Sequence, residues 1–456
     1  MIFPLPLAPF EEYMLSDDRP AYPMNFFCRV RFSGRLDRRA FESVLQASVA
    51  RHPLLAVSVR KLPRNRFQWI ADETTAPTVR WQEKLPDDSF PHAAPINLYA
   101  EAGLRFWVLA GAKTTELVMQ FHHSCCDGLG GFRFLRDLLV AYAVAAGETS
   151  RRATLPPLDA KLLRRRNTFG LTPWRFLRIL PQQLTGLLGV RQFLMRSPVP
   201  ATPNTPPQDM SQPPDRYPAT CTRRIDEAET KALRRVAAEL RATTNDLLAR
   251  DLFLALHDWM SRHVPGYDDG WLRLSVPVNL RTVSERRLPA ANAVSMVFLD
   301  RRSQDFADTG QLLAGISDEM LLIKRRRLGL TFVFSLQACR FLPGGMPAQV
   351  KGDQCTATCV FTNLGSPLAK LPLPRREGRF VVGNVVLEGM ECLAPIRPHT
   401  SAAFAVFIYA GKLTVTLHYD ARAMTGRQAE DLLETYVRKV RASIGAAKHP
   451  EESLAG

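Results

Sequence analysis

Acidic residues are the first shortage in this chain: 44 Asp and Glu stand against 60 Lys and Arg, leaving a net charge of +16 with histidine neutral. Such an imbalance points to anionic partners, whether nucleic acid, a phosphate-bearing ligand or a membrane surface, without choosing among them. The eight cysteines, at 28, 125, 126, 221, 339, 355, 359 and 392, include no CxxC pair and no secreted-scaffold spacing. Zinc ribbons and disulfide frameworks are thereby excluded, and reduced thiols are expected. No uninterrupted apolar run reaches the length of about 18 residues that a spanning helix needs. The opening residues lack a basic stretch and are broken by Pro4, Pro6 and Pro9, so they do not read as a signal peptide. A cytoplasmic protein is expected, with peripheral membrane contact left open. Few aromatics interleave the most basic stretch, which argues against stacking on nucleic acid.

What is present suits a large folded protein. Hydrophobic residues make up 46% of 456 positions and charged ones 23%, enough for a substantial core and for two or three domains. Phe26, Cys28, Val30 and Phe32 alternate with Arg29 and Arg31 as in a half-buried strand. Asp37 is placed to cap a helix carrying Phe41, Val44, Leu45 and Val49 on one face, which ends near His52-Pro53. His52 at that helix end would interact favourably with the helix dipole when protonated. A strand is expected over Ala56–Val59. Asp226 caps a further helix, and another starts at 242–246 and runs through Trp259. Strands are expected at 272–278, 293–299, 357–362, 404–408 and 412–419, with a closing helix over 425–444. Helices and strands mix in both halves, so the class is α/β or α+β.

Composition divides the chain into three. Between Arg151 and Arg196, ten Lys or Arg meet the single acid Asp159, and a proline-rich run follows from Pro198 to Pro218. Residues 151–218 therefore read as a basic, extended crossover between a first lobe over 1–150 and a second over 219–456. Trp174, Leu177, Leu180, Leu184, Leu187 and Leu188 form a broken apolar stripe among arginines, interrupted by Pro181. Such a stripe suits an anionic membrane or carrier surface. It equally suits a crossover packed on its own lobes.

The chain is organised around Phe121-His122-His123-Ser124-Cys125-Cys126-Asp127-Gly128-Leu129-Gly130-Gly131. The apolar run Leu117–Phe121 precedes it and Phe132–Tyr142 follows at helical spacing, predicting strand, tight turn and helix. The glycines would permit positive φ in the turn. A neutral imidazole here can accept a proton near neutral pH and return it. Asp127 could support that imidazole directly, or pair with an arginine elsewhere and hold the turn. Adjacent strand side chains point to opposite faces, so His122 and His123 are poorly placed to share a metal, and no metal site is expected. Cys125 and Cys126 fit small buried fillers better than nucleophiles. His257, His399 and His418 show no partner spacing.

The motif resembles, residue for residue, the HHxxxDG signature of the condensation-domain and acyltransferase superfamily. That superfamily includes peptide-synthetase condensation domains, polyketide-associated acyltransferases, wax ester synthases and chloramphenicol acetyltransferase. Ser275-Val276-Pro277-Val278-Asn279-Leu280-Arg281 resembles its strand-end arginine motif, whose arginine pairs with the motif aspartate. Phe361-Thr362-Asn363-Leu364-Gly365 resembles its Ser-Asn-Leu-Gly segment, with Thr362 in place of serine. Asn292 resembles a Gly-Asn element with alanine in the glycine position.

The resemblance implies two chloramphenicol-acetyltransferase-like lobes with a channel between them. It implies acyl transfer from a phosphopantetheine thioester, as acyl-CoA or on an acyl carrier protein, to a hydroxyl or amine, with no permanently bound cofactor. His123 would be the general base and His122 its support, with Asp127, Gly128 and Arg281 keeping the architecture. Thr362 or Asn363 could contact the oxyanion or substrate. A non-catalytic lipid- or carrier-binding protein is the alternative.

Overall fold

The structure, a computed structural model, describes residues 2–72, 75–84, 89–148, 153–203, 211–350, 352 and 354–446. Arg151, Pro206 and Pro207 of the crossover lie outside them. Two mixed sheets, each covered by helices around its own apolar core, form an α/β architecture of two lobes.

In the first lobe, strands Asn25–Ser33, Thr114–His122 and Leu104–Ala110 run antiparallel side by side, with Thr78–Glu83 parallel at one edge. Helices Arg38–Ala50 and Gly128–Ala145 pack together, Phe41 lying against Phe106 and Tyr142. Asp37 caps the first helix by accepting from the Ala40 N–H at 2.8 Å. The expected strand at 56–59 starts later, at Ser58, because Pro53–Ala56 winds into a 3-10 turn.

The second lobe's sheet has the order Val294–Arg301, Leu272–Asn279, Cys359–Asn363, Ala402–Tyr409, Lys412–Tyr419 and Ala219–Ile225. Helices Glu227–Glu239, Thr244–His263, Thr309–Arg325 and Gly426–Ala446 flank it. Asp226 and Thr243 supply the caps of the first two, each within a capping box.

The lobes exchange chain. Strands Arg375–Arg376, Arg379–Val382 and Val385–Leu393, numbered within the sequence of the second lobe, complete the first lobe's sheet, the last pairing with Asn25–Ser33. A division at 219–456 therefore does not follow the sheets. Buried charge accompanies the join: Arg29 pairs with Glu391 of the returning strand and lies 3.5 Å from Glu116 of the motif strand. Removing one member would strand the others away from water, so the three strands are coupled.

The crossover is more ordered than its composition predicts. A 3-10 turn spans Ala160–Arg165 and a long helix spans Pro173–Met195, beginning at the Thr172 cap and continuing through Pro181. Val199 then bonds to the Trp271 carbonyl at 2.9 Å. Among the described residues no helix is long and apolar enough to cross a membrane.

Candidate active site between the lobes

The motif turn is fixed from both lobes. His122 ends its strand, pairs with Asn25 and is fully buried. Its Nδ1 accepts the Ser124 N–H at 3.1 Å, which puts any ring proton of the neutral form on Nε2, 3.6 Å from Asp18 Oδ2. The next residue leaves the strand. His123 donates its N–H to the Met24 carbonyl at 2.7 Å and turns its ring into a cavity between the lobes. The two histidines thus face different surroundings.

That cavity holds about 1180 Å³ of empty space, part of it open to solvent, and its wall is mostly apolar. The His123 ring lies between Phe26, at 5.3 Å, and Phe10, at 6.0 Å. Its Nδ1 is closed off from solvent, so the Nε2 edge is the one left to the cavity. Burial lowers the His123 pKa against the opposing pull of its own carbonyl and of Asp127, which keeps the ring neutral and able to take a proton near pH 7. Arg281, Thr362 and Asn363 line the same cavity.

Asp127 does not touch the imidazole in a hydrogen bond; it locks the turn to the second lobe. Both oxygens accept from Arg281 in a two-pronged pair, each contact 2.8 Å. The Ala293 N–H donates to Oδ2 at 2.9 Å and the Gly130 N–H to Oδ1 at 2.8 Å, making Asp127 the cap of the motif helix. Burial alone would raise its pKa. The guanidinium and the two amides outweigh burial and hold the carboxyl below its usual range.

The motif glycines serve space rather than unusual backbone angles. Gly128, Gly130 and Gly131 all lie in the helix, none at positive φ. A Cβ on Gly130 would sit 3.0 Å from the Ala291 carbonyl, one on Gly131 3.1 Å from the Phe26 ring, and one on Gly128 3.0 Å from Leu364. The expectation of positive φ is corrected accordingly.

Two groups carry more than the sequence indicated. Asn292 donates through Nδ2 to the carbonyls of His123 and Ser124, both at 2.8 Å, so it holds the backbone that aims the ring. Helix Pro9–Asp17 is buried at all nine positions and brings Phe10, Tyr13 and Asp17 to the cavity wall. Its glutamates are tied elsewhere: Glu11 pairs with Arg166 and accepts from Trp69 Nε1 at 2.9 Å, and Glu12 pairs with Arg340.

The remaining candidates stand apart from the chemistry. Cys125 and Cys126 are fully buried, and burial pushes both thiols far up, so neither is a thiolate near pH 7. His52 differs from its expected role. Burial lowers its pKa, Nδ1 accepts the Ala290 N–H at 2.9 Å and Nε2 lies 3.3 Å from Asp137, so a neutral ring ties the lobes where a protonated one on a dipole was anticipated. Asn363 Oδ1 accepts the Gly365 N–H at 2.9 Å, which leaves its NH2 group as the donor end.

Comparison with solved structures identifies the architecture as the two-lobed condensation-domain fold. The starter condensation domain of rhizomide synthetase RzmA, solved in complex with C8-CoA, matches with a TM-score of 0.66 at 14% identity, over 97% of this chain and 95% of that one. Polyketide synthase associated protein 5 of Mycobacterium tuberculosis matches with a TM-score of 0.61 at 15% identity, over 98% of both chains. In sequence, the uncharacterized protein Rv2305 of Mycobacterium tuberculosis is 26% identical over 386 residues, covering 79% of this chain and 83% of its own. No family model matches the sequence.

Proposed function

We propose that this protein is an acyltransferase in which His123 is the general base, moving an acyl group from a phosphopantetheine thioester to a hydroxyl or amine. The observation that carries the reading is the His123 ring: neutral, shut off at Nδ1, and presenting its other edge to an apolar cavity reached by both lobes. In the reaction, the acceptor oxygen or nitrogen attacks the thioester carbonyl as Nε2 removes its proton. The tetrahedral oxyanion collapses with cleavage of the C–S bond, and the departing thiolate recovers the proton from the imidazolium. The Thr362 hydroxyl and the Asn363 amide are the donors for the oxyanion. His122 acts through the turn it stabilises.

The donor is acyl-CoA or an acyl carrier protein, since the rhizomide domain of the same fold was solved with C8-CoA and the basic surplus here suits a phosphate-bearing arm. An apolar cavity wall fits an acyl chain. Thiol release from a panel of acyl-CoA donors of graded chain length, with amine and alcohol acceptors, tests the reading. His123→Ala should lower turnover by about a hundredfold or more, and His122→Ala by less. Equal loss from both folded variants would refute the division of labour. Donor binding without turnover under any acceptor would point instead to a non-catalytic lipid- or carrier-binding protein.

A further inference from the structure

Helix Pro173–Met195 is turned the wrong way round for a helix that merely connects two lobes. Its narrow inner face, with Gln183 and Gly186 buried, rests on helix Gly329–Cys339. Gln183 Oε1 accepts from the Thr331 hydroxyl at 2.8 Å, and a Cβ on Gly186 would stand 2.1 Å from the same hydroxyl, so the two helices touch at close range there, with Phe176 packed on Phe334 beside them. Phe176, Ile179 and Phe193 pack inward as well, but a larger apolar set lies on the other side. Trp174, Leu184 and Leu194 are 77%, 65% and 75% exposed, and Leu177, Leu187 and Leu188 are exposed with them. Spacings of three, four and seven residues put these side chains on one stripe of the helix.

Charge says what covers this stripe. No acid occurs between Asp159 and Asp209, while Arg175, Arg178 and Arg191 belong to the helix and are exposed. Two copies joined through this face would oppose arginine to arginine. An anionic bilayer offers the complement: headgroups for the guanidinium groups and an apolar layer for tryptophan and leucine. A helix of 23 residues containing three arginines does not cross the bilayer, so it lies in the plane. We propose that helix Pro173–Met195 is an interfacial anchor that seats the protein on an anionic lipid surface through its outward apolar stripe.

The seat is one helix away from the cavity. Helix Gly329–Cys339 meets the anchor through Phe334 and Phe176, 5.4 Å apart, and meets the cavity wall through Phe332 and Tyr13, 5.6 Å apart. Docking would bring that wall toward the surface in which acyl-chain amphiphiles partition.

Flotation of the full chain with phosphatidylcholine vesicles, with and without phosphatidylglycerol, provides the test. Binding to the anionic vesicles at low salt is expected, weakened by added salt, together with a blue shift of tryptophan emission that Trp174→Phe removes. Leu184→Asp with Leu188→Asp should reduce vesicle partitioning by about tenfold or more while leaving the melting temperature unchanged, because both side chains already face water. Absence of binding to anionic vesicles at low salt overturns the proposal, as does undiminished binding of the Leu184→Asp/Leu188→Asp variant. So does a dimer in sedimentation analysis that the same two substitutions dissociate without any vesicle binding, which would assign the face to a second copy.

Discussion

Asp127 and Asp17 both lie in the wall of the interlobe cavity and both meet an arginine, but their surroundings differ. Asp127 receives four aligned N–H groups, two from Arg281 and one each from Ala293 and Gly130. Asp17 lies 2.5 Å from Arg397 Nε and 3.7 Å from Arg19 Nη2, yet neither of its oxygens meets an aligned donor among the described residues. Arg397 directs Nη1 to the Tyr13 hydroxyl at 2.5 Å and stands over the Tyr13 ring. A fully satisfied buried pair tolerates little rearrangement, whereas in the second pair the Asp17 carboxylate is closed off and Arg397, 16% exposed, is the member left partly open. The first pair therefore reads as a clamp between lobes. The second is a polar point in an apolar chamber that an occupant can engage.

Breaking the clamp should have the largest effect. Asp127→Ala or Arg281→Ala leaves an uncompensated buried charge, and each should cost about 3 to 5 kcal/mol of stability. The double variant should be less damaged than the sum of the singles, and strict additivity of melting temperatures would show that the clamp is not a unit. The acid side carries a second signature. Because the folded carboxyl is held below its unfolded value of about 3.9, its contribution is complete above that pH and lost as pH falls through the lower folded value. Denaturant titrations below pH 4 should show the wild type losing an advantage that Asp127→Asn never had.

The Asp17–Arg397 pair should give a smaller and different loss. Arg397→Ala leaves Asp17 buried with less compensation, about 1 to 3 kcal/mol, but it also removes the polar point from the cavity. The expected signature is a rise in KM for the cavity occupant with kcat held within a few-fold. Should kcat fall as far as it does in His123→Ala, the contrast between clamp and contact would collapse.

How far these two pairs were legible in the sequence differs for a physical reason. Arg281 lies two residues past the end of strand Leu272–Asn279 and Asp127 precedes a helical run, so both stand at readable boundaries. Asp17 belongs to the helix Pro9–Asp17, buried on every side, where Glu11, Glu12 and Asp17 face protein as fully as Phe10 and Met14 do. No apolar stripe marks such a helix, since the 3.6-residue period arises only when one face meets water. Asn292 was hidden by the alanine beside it, and its role emerges only from its two bonds across the seam. The returning strand Val385–Leu393 is not among the expected strands, because it is buried at eight of its nine positions and shows no alternation, and local pattern says nothing about which sheet a strand joins. Its choice is made by Arg29 and Glu116, more than 250 residues earlier in the chain.

Asn292 sits between the two pairs in character, satisfied at Nδ2 and buried without a partner at Oδ1. Asn292→Ala uncovers two buried carbonyls, at a cost of about 1 to 3 kcal/mol. Since one of them belongs to His123, turnover should fall with stability, and the pH profile is the discriminating measurement. Asn292 also helps hold the His123 pKa up against burial, so Asn292→Ala should lower the plateau and move the acid limb, set by protonation of His123, to lower pH. An unmoved limb would mean that Asn292 acts on the backbone alone.

The smallest effect is expected from the two cysteines beside His123, and it separates packing from chemistry in the motif. Cys125 and Cys126 are closed off from solvent, and burial drives their thiols away from ionisation, so an alkylating reagent at neutral pH should leave the folded protein's turnover intact. Cys126→Ala removes only the sulfur and its hydrogen from a closely packed site, where the Cβ position of Gly130 already comes within 3.0 Å. Stability should fall by about 1 kcal/mol, in the range of small core truncations, with kcat unchanged within a factor of about two. A loss of a hundredfold in a folded Cys126→Ala protein would put sulfur into the reaction and displace His123 from the role of base to that of a thiol activator. Retained turnover leaves the imidazole as the proton acceptor, held in place by Asn292 and by the clamp of Asp127 and Arg281.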